Sequence, residues 1–313
     1  MKAIVFYKKG SPDKLVYSDV EKPVPNDNEV LIKIHAVSAN AADYRSMQLG
    51  IIPKRKIFGA DIAGIIETAG KNIQKFKPGD EVIGDLASYG FGGFAEYAVA
   101  PENALVRKPA SISFEAAAAL PMAAVTALQG LRDKGKIQKW QKVLIAGSGG
   151  GVGTFAVQLA LYFGAEVSAV CSTKNIEQTI SLGATHVIDY TKEDFNGSNR
   201  RYDLILAVNG NRSLFTYKRL LNPKGIYVMA GGALSQVFRS LIFGPLMSLG
   251  SRKMRFIAAK PSQKDLEFIV KLVEEGRIKP VIDRVYTLDK TADAIRYLKE
   301  GHARGKVVIN VES

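Results

Sequence analysis

The chain has 313 residues, 47% hydrophobic and 23% charged, which is an ordinary composition for a globular protein with room for two domains. Its single cysteine, Cys171, excludes an intramolecular disulfide and a multi-cysteine zinc lobe, and no stretch reaches the roughly 18 apolar residues of a membrane span. The 43 basic and 30 acidic residues give a net charge of +13, which can indicate nucleic acid or an anionic membrane as a partner. Because the basic residues form scattered short groups outside any nucleic-acid motif, we prefer a solvated basic surface that also suits an anionic cofactor.

The first part of the chain, to about Pro109, has the pattern of a β-rich domain. Met1 leads directly into an apolar run without the features of a signal peptide, so we expect a cytoplasmic protein. Short strands joined by Pro- and Gly-containing turns predict a small barrel-like domain. The predicted strands lie at 2–6, 30–37, 60–70 and 81–84.

From about Ser113 the pattern changes to strands that alternate with helices. Ser113 is a candidate N-cap residue, and the alternation predicts a parallel sheet with helices on both faces. Helices are predicted at 122–132, 154–163, 264–275 and 290–299. Strands are predicted at 143–146, 166–170, 185–190, 202–208, 225–230 and 306–311, with a possible edge strand at 255–258.

The central motif is a glycine turn between a strand and a helix. Five of the seven residues 147–153 are glycine, and the spacing Gly147-x-x-Gly150-x-x-Gly153 departs from the usual G-x-G-x-x-G. Such a turn presents backbone N–H groups at a helix N-terminus, where the dipole favours an anion. With a second strand ending about 20 residues after the last glycine, the order of elements predicts a dinucleotide site. The residues expected at the pyrophosphate are Gly149, Gly150, Gly151, Val152 and Gly153.

One segment, residues 235–250, does not fit the alternation. It is apolar, with Gly244-Pro245 in its middle. It could lie on a membrane as an amphipathic piece. We prefer a segment that covers a substrate cleft or contacts another subunit.

Motifs spread over nearly the whole chain resemble one family. They include Asn40-Ala41-Ala42-Asp43-Tyr44, Phe58-Gly59-Ala60-Asp61-Ile62-Ala63-Gly64, Phe76-Lys77-Pro78-Gly79-Asp80-Glu81-Val82, the glycine turn and Gly305-Lys306-Val307-Val308. Each is weak alone, but their order and spacing are specific. The sequence resembles the zinc-independent members of the medium-chain dehydrogenase/reductase superfamily, of the quinone oxidoreductase and enone reductase type.

The resemblance implies an α/β fold: a Rossmann doubly wound parallel sheet plus a GroES-like β-rich catalytic domain. The expected boundaries are 1–120 and 262–313 for the GroES-like domain and 121–261 for the Rossmann domain. The resemblance also implies an active site between the domains and a homodimer.

The departures from zinc-dependent relatives concern the metal ligands. Those relatives place a cysteine where Asn40 stands and a His-Glu pair where this chain has Ala60-Asp61. Zinc prefers thiolate or imidazole ligands, and neither is available at these positions. His35, His186 and His302 lie in unrelated contexts. We therefore expect no catalytic metal.

The end of the second Rossmann strand predicts the cofactor. NAD-binding sites offer a carboxylate there for the ribose 2′-OH, whereas this chain offers Ser172, Lys174 and Asn175. A hydroxyl, a cation and an amide can all bind a phosphate. The resemblance adds the phenol of Tyr190 as a donor to the same group. The sequence therefore predicts NADPH rather than NADH.

Further site residues follow from topology and from the resemblance. Ligands bind at the carboxyl ends of parallel strands, which predicts cofactor contacts at Val208 and Asn209 and at Ala230 and Gly231. The resemblance places Thr126 near the nicotinamide and puts Asn40 and Tyr44 at the reacting end of the cleft. Lys260 and Lys306 are candidates for cofactor oxygens, and surface positions are equally compatible with the sequence.

Without a metal, conjugated substrates are favoured. Hydride addition to a β-carbon spreads charge onto the carbonyl oxygen, where hydrogen-bond donors suffice. We expect Tyr44 or a cofactor hydroxyl to stabilise the enolate and Asn40 to orient substrate or nicotinamide, although both could be scaffold residues. The predicted function is an NADPH-dependent reductase of quinones or α,β-unsaturated ketones and aldehydes. A metal-free carbonyl or alcohol oxidoreductase and a non-catalytic NADPH-binding sensor or scaffold are the alternatives. We expect no nucleic-acid partner, because the basic residues lie outside any nucleic-acid-binding motif.

Overall fold

The chain divides into two compact units, each described here by itself. The computed structural model describes residues 1–7, 10–193, 199–208, 212–232 and 242–311. Unit 1 comprises Met1–Val125, Lys260–Glu275 and Pro280–Ser313, and unit 2 comprises Thr126–Ala259 and Gly276–Lys279.

The strands and helices have the following bounds. The strands are β1 (Lys2–Phe6), β2 (Leu15–Asp19), β3 (Glu29–Ala39), β4 (Asp61–Ala69), β5 (Glu81–Asp85), β6 (Tyr97–Pro101), β7 (Leu105–Arg107), β8 (Lys142–Ala146), β9 (Glu166–Cys171), β10 (His186–Asp189), β11 (Tyr202–Ala207), β12 (Leu221–Met229), β13 (Lys253–Phe256), β14 (Ile282–Thr287) and β15 (Lys306–Asn310). The helices are α1 (Ala41–Leu49), α2 (Phe114–Ala118), α3 (Pro121–Leu128), α4 (Gly151–Tyr162), α5 (Ile176–Ser181), α6 (Leu214–Leu220), α7 (residues 242–247), α8 (Gln263–Glu274) and α9 (Thr291–Lys299).

Unit 1 is built on a largely antiparallel sheet. The strand order is β14-β15-β3-β4-β5-β7, and β6 also pairs with β3. Only β14 and β15 run parallel among these pairs. β15 comes from the end of the chain and lies beside β3 from its beginning, so both ends of the sequence build one sheet. A separate β1–β2 hairpin packs Ile4 and Phe6 into the same core.

Unit 2 is a parallel sheet with the order β10-β9-β8-β11-β12-β13. Its central strands are near-continuous apolar runs because parallel sheets are covered on both faces. Val143, Leu144 and Ile145 of β8 are all fully buried. The strand order reverses direction at β8, and ligands bind open α/β sheets at such switch points. The predicted combination of a Rossmann sheet with a β-rich domain is confirmed.

Several boundaries differ from the predictions by a few residues. β12 begins at Leu221, four residues earlier than predicted, and β13 begins at Lys253 rather than at Arg255. The helix predicted at 122–132 is α-helical only to Leu128 and continues as a π-helical turn, Gln129–Lys134. Ser113 is confirmed as an N-cap, since its hydroxyl accepts a hydrogen bond from the Ala116 N–H. No helix in the described part of the chain is both long and apolar enough to cross a membrane.

Candidate cofactor site and buried polar cluster

The glycine turn joins β8 to α4 at the carboxyl end of the parallel sheet. Gly147 takes a left-handed conformation with φ of 91°, which turns the chain away from the strand. Gly150 is the N-cap residue of α4, and no side chain caps the helix. A Cβ built on Gly150 meets no atom within 4 Å. The first N–H groups of a twelve-residue helix therefore face an open space that a side chain would fill.

The other glycines of the turn are required by close packing. A Cβ on Gly153 would overlap the carbonyl oxygen of Gly147, so the helix can approach the strand only with glycine there. A Cβ on Gly149 would collide with the side chain of Asn175. Gly149 and Gly153 are thus required by the geometry of the turn. Gly150 leaves open the space in front of the first N–H groups of α4, which we call the cradle.

Asn175 lies over this turn with an incomplete set of hydrogen bonds. Its Nδ2 donates to the Ser172 hydroxyl at 3.2 Å, while its Oδ1 is buried without a hydrogen-bond partner. An orphaned polar atom inside a protein costs free energy unless a ligand or water satisfies it. A cradle of helix N–H groups and an unsatisfied amide beside it fit the phosphates and hydroxyls of a dinucleotide.

The end of β9 carries the residues predicted to choose the cofactor. Ser172 is half-buried and Lys174 is exposed. The nearby carboxylate of Asp189 is engaged, because it accepts hydrogen bonds from the hydroxyls of Thr173 at 2.5 Å and Thr191 at 2.7 Å. The Thr173 hydrogen bond is the largest influence that lowers the pKa of Asp189. Lys174 is thus an exposed positive charge at this strand end, and Tyr190 is exposed after β10.

The turns after β11 and β12 meet at the same edge of the sheet. The Ala230 N–H donates to the Ala207 carbonyl, and the Val208 N–H donates to Ala146 at the end of β8. A Cβ on Gly231 would overlap the Val208 carbonyl oxygen. The structure thus brings the predicted residues Val208, Ala230 and Gly231 to one edge.

The remaining cofactor candidates are described one by one. Thr126 is buried on α3, and Lys260 is exposed. Asn209 lies outside the described residues.

A row of polar side chains crosses unit 1 from strand to strand. Lys306 begins β15, whose next residue pairs with the last residue of β3. Ser38 of β3 pairs with Asp61 of β4, and Asp61 pairs with Asp85 of β5. Register alone therefore aligns four polar residues on neighbouring strands, all of them buried.

The centre of the row is an internal ion pair. The Lys306 ammonium donates to Asn40 Oδ1 at 2.7 Å and lies 3.4 Å from Asp61 Oδ2. Asn40 Nδ2 in turn donates to Asp61 Oδ2 at 2.9 Å and to the Ser38 carbonyl at 3.2 Å. Both amide hydrogens of Asn40 are thus used within the cluster, which fixes the side chain with its oxygen towards Lys306.

Two more donors complete the surroundings of Asp61. The Ser38 hydroxyl donates to Oδ2 at 3.0 Å and the Met122 N–H donates to Oδ1 at 3.0 Å. Burial raises the pKa of Asp61, while the Lys306 ammonium and these donors oppose the rise. A buried carboxylate with three uncharged hydrogen-bond donors and a cation is well satisfied in its ionised form.

Two further carboxyl groups, Asp43 and Asp85, lie nearby, and the Lys306 charge is only a minor influence that lowers their pKa values. Burial raises the pKa of Asp43 to about 7, although Asp43 accepts hydrogen bonds from the Asn40 and Gly59 N–H groups. Burial, and secondarily the charge of Asp61, raise the pKa of Asp85 to about 7. Both groups change protonation close to neutral pH, so the cluster is sensitive to pH.

Tyr44, the second predicted catalytic residue, is on α1. Its ring is partly buried against the core of unit 1, and the Arg45 guanidinium lies 5.8 Å from the ring centroid. Tyr44 is thus a half-buried aromatic residue with a polar end. This position is compatible with a proton donor and equally with a scaffold residue.

The chain places its own cation at the positions where zinc-dependent relatives place metal ligands. Asn40 and Asp61, which stand at those positions, are joined by Lys306. Among the described residues, no group of three or more His, Cys, Asp or Glu side chains is arranged to hold a metal ion. The histidines have other contacts or positions: His35 stacks on Phe114 and His186 begins β10.

Most of this cluster lies outside the site that the sequence predicts. Asn40 and Lys306 are predicted as separate site residues, whereas Ser38, Asp61 and Asp85 have no predicted role. A signal was present at Asp61, a charged residue that follows Phe58-Gly59-Ala60 and precedes an apolar run. A charge within a strand that is otherwise apolar indicates a buried, partnered carboxylate.

A parallel sheet with an open phosphate cradle, accompanied by a separate β-rich unit, defines a dinucleotide-dependent oxidoreductase. The alcohol dehydrogenase GroES-like domain family matches residues 26–110, and the zinc-binding dehydrogenase family matches residues 182–309.

Two curated relatives and one solved structure extend the match over the whole chain. The chloroplast envelope quinone oxidoreductase homolog of Arabidopsis thaliana is 32% identical, over 96% of this chain and 95% of the relative. The 2-methylene-furan-3-one reductase of Solanum lycopersicum is 34% identical, over 99% of this chain and 79% of the relative. The structure of the quinone oxidoreductase from Coxiella burnetii superimposes with a TM-score of 0.90 at 28% identity, covering 100% of this chain and 99% of that one. The chain belongs to the medium-chain dehydrogenase/reductase superfamily, in its quinone oxidoreductase branch, and is an oxidoreductase.

Proposed function

We propose that this protein is an NADPH-dependent, zinc-independent reductase of quinones or α,β-unsaturated ketones and aldehydes. The observation that carries the proposal is the open cradle at Gly150 with Ser172, Lys174 and the orphaned Asn175 amide on the neighbouring strand end. The 2′-phosphate of NADPH suits an exposed ammonium beside a hydroxyl. The substrate class is supported by the names of the two relatives, a quinone oxidoreductase homolog and a 2-methylene-furan-3-one reductase.

The proposed reaction needs few protein groups at the carbon that receives the hydride. When bound, NADPH would supply a hydride to the β-carbon of the substrate, and negative charge would then develop on the carbonyl oxygen. Hydrogen-bond donors at that oxygen typically contribute about 3 kcal/mol each to the transition state. We assign this role to the Tyr44 hydroxyl or a cofactor ribose hydroxyl, and the following proton transfer to Tyr44 or water.

Asn40 has a positioning role in this proposal. Because both of its amide hydrogens are held by Ser38 and Asp61, Asn40 offers its carbonyl oxygen to Lys306. The hydrogen bonds to Asn40 and Asp61 use two of the three N–H donors of Lys306. The third is our candidate for a cofactor oxygen, together with Lys260.

Turnover of a substrate panel tests the proposal. Purified protein is mixed with NADPH and with enones, quinones or simple ketones, and the loss of NADPH absorbance is followed. Turnover of enones or quinones supports the proposal. Turnover of simple ketones alone indicates a carbonyl reductase, and tight NADPH binding without oxidation indicates a sensor or scaffold protein; either result contradicts it.

The assembly and the compartment are also proposals. We propose a homodimer, as is usual in the family, and a cytoplasmic location. Light scattering of the purified protein tests the dimer, because a monomeric mass at all concentrations would exclude it. Cell fractionation tests the compartment.

A further inference from the structure

Unit 2 contains a cavity of about 880 Å³ at the amino ends of its parallel strands. Three residues that line it, Lys142, Glu166 and Tyr202, are the first residues of β8, β9 and β11. The glycine turn follows the opposite end of β8, and the rise from Lys142 to Ala146 separates the two ends by roughly 13 Å. None of the lining residues belongs to the edge strands β10 and β13. The cavity is therefore distinct from the candidate cofactor site.

Tyr202 lines this cavity with an unsatisfied hydroxyl. The residue is only 3% exposed, and its hydroxyl has no hydrogen-bond partner among the described residues. Burial raises the pKa of Tyr202, so the hydroxyl keeps its proton near neutral pH. The Ser168 side chain on β9 acts in the opposite direction on this pKa but makes no hydrogen bond with the hydroxyl. A buried donor without a partner costs free energy unless a ligand or water satisfies it.

Trp140 adds an exposed aromatic ring to the same cavity. It is the only tryptophan of the chain, and it is 79% exposed. Its φ of 68° lies in the left-handed region, which bulky residues avoid, yet its N–H is held by the Gly164 carbonyl at 2.8 Å. The Lys139 ammonium lies 4.6 Å from the ring centroid. Strained backbone that a fold maintains is concentrated at functional positions, and an exposed indole is suited to stacking on a planar molecule.

The charges around the cavity favour an anion. Three cationic residues line it: Lys142, Arg200 and Arg201. The two lining carboxylates are those of Glu166 and Asp203. Asp203 is engaged within the fold, because it accepts hydrogen bonds from the Lys142 N–H at 2.9 Å and from the Asn222 amide at 2.8 Å. Arginine binds carboxylate and phosphate oxygens through its planar set of N–H donors, so an anionic group fits this lining.

We propose that this cavity, here called the amino-end site, binds an aromatic molecule that carries a carboxylate or phosphate. The aromatic ring stacks on Trp140, and the anionic group accepts hydrogen bonds from Tyr202 and Arg200. Small-molecule sites in proteins have volumes of about 300–1,000 Å³, which includes this cavity. A purely apolar ligand would leave the Tyr202 hydroxyl unsatisfied, and an inorganic anion would make no use of the indole. The proposal does not depend on the reductase function.

Tryptophan fluorescence tests the proposal directly, because all of the tryptophan emission comes from Trp140. The full chain is titrated with 3-phenylpropionate and, separately, with phenyl phosphate, which distinguish a carboxylate site from a phosphate site. We expect a saturable change in emission with at least one of them, weakened by added salt. The uncharged 3-phenylpropanol and the non-aromatic 3-cyclohexylpropionate should bind at least about fivefold more weakly. No binding of either aromatic anion by fluorescence and calorimetry, or equal binding of the alcohol, overturns the proposal.

Saturating NADP⁺ distinguishes the amino-end site from the cofactor site. The affinity for the aromatic anion should be unchanged, since the two ends of the sheet are separate. Competition between NADP⁺ and the aromatic anion would place the anion in the cradle and contradict the proposal. A protein that reduces no quinone or enone but binds the aromatic anion would refute the reductase function alone.

Two tyrosine variants separate binding from folding. Tyr202→Phe removes only the hydroxyl, and binding of the aromatic anion should weaken about tenfold. The unfolding temperature of the free protein should not fall, because the hydroxyl has no partner to lose. Tyr217→Phe, at another buried tyrosine of the same core cluster, should leave the affinity unchanged. Equal losses of affinity in the two variants would contradict the proposal.

Two further variants test the charge and the ring. Arg200→Gln should weaken binding about tenfold, whereas Arg277→Gln, at an exposed arginine of unit 2 outside the lining, should not. Trp140→Leu should weaken binding about fivefold, measured by calorimetry because the fluorescent residue is lost. Wild-type affinity in Tyr202→Phe, Arg200→Gln and Trp140→Leu together would show that the anion binds elsewhere.

Discussion

The Lys306 ammonium lies 2.7 Å from the amide oxygen of Asn40, so a cation of the chain itself occupies the centre of the polar row in unit 1. The same ammonium lies 3.4 Å from Asp61, and both side chains of this ion pair are buried. Removing one member of a buried pair costs much more than the pair contributes, because the other charge stays behind without compensation. The following tests use this asymmetry and the geometry of the glycine turn.

Loss of the Lys306 charge should destabilise the protein strongly. Lys306→Met keeps the length of the side chain and leaves the Asp61 carboxylate buried without a cation, which we expect to cost about 3–5 kcal/mol. The double variant Lys306→Met, Asp61→Asn should recover most of this loss because the remaining charge is gone. Urea unfolding of the two single variants and the double variant measures the coupling; additive losses would contradict an ion pair.

Asp85 should make stability depend on pH. Burial raises its folded-state pKa from 3.8 to about 7, so the folded protein retains a proton that the unfolded chain has already lost. The contribution of Asp85 to the free energy of unfolding therefore falls as the pH rises from about 4 to 7, and it stays low above that range. Between about pH 5 and pH 8, the free energy of unfolding of the wild type should fall by a few kcal/mol more than that of Asp85→Asn, since one pKa unit corresponds to about 1.4 kcal/mol.

Chemical unfolding of wild type and Asp85→Asn at the two pH values measures this difference. Asparagine can still accept the hydrogen bond that Asp85 Oδ1 receives from the Ala87 N–H, so the local geometry is preserved. Asp27→Asn, at an exposed site, serves as the control and should keep the wild-type pH dependence. Parallel pH profiles for the wild type and Asp85→Asn would show that Asp85 does not titrate in this range.

Two alanine substitutions in the glycine turn should separate binding from folding. Gly150→Ala adds a methyl group in open space at a φ of −90°, so the fold should be unaffected while the cradle is filled. We expect NADPH to bind tenfold or more weakly, with an unchanged unfolding temperature. Gly153→Ala should lower the unfolding temperature, because its Cβ overlaps the Gly147 carbonyl. Undiminished NADPH affinity of Gly150→Ala would place the phosphates elsewhere.

Lys174→Ala should distinguish the two nicotinamide cofactors. A hydrogen bond to a charged group is worth about 1.5–3 kcal/mol, so NADPH binding should weaken at least tenfold and NADH binding should change little. Lys142→Ala alters an exposed lysine at the opposite, amino end of the same sheet and should affect neither cofactor. Titrations followed by fluorescence measure both affinities, and equal losses for NADPH and NADH would contradict the assignment.

The glycine turn and most strands could be predicted because their signals are local. Five glycines between a strand and a helix need a tight turn whatever the rest of the fold does, and the apolar runs of β8 and β11 indicate buried strands by themselves. The predicted strand at 2–6 is confirmed with identical bounds.

The buried row in unit 1 could not be predicted in the same way. The register that sets Ser38 opposite Asp61, and Asp61 opposite Asp85, follows from the pairing of separate strands. Periodicity identifies the strands but not their partners.

The lysine in the centre of the row comes late in synthesis. Its hydrogen bonds to Asn40 and Asp61 span 266 and 245 residues. Unit 2 is almost continuous in sequence, so its sheet can assemble on the ribosome before β15 has been translated. The neutralising charge for Asp61 is therefore available only after the residues of unit 2 have been made, and closure of unit 1 depends on contacts of long sequence separation, which form slowly.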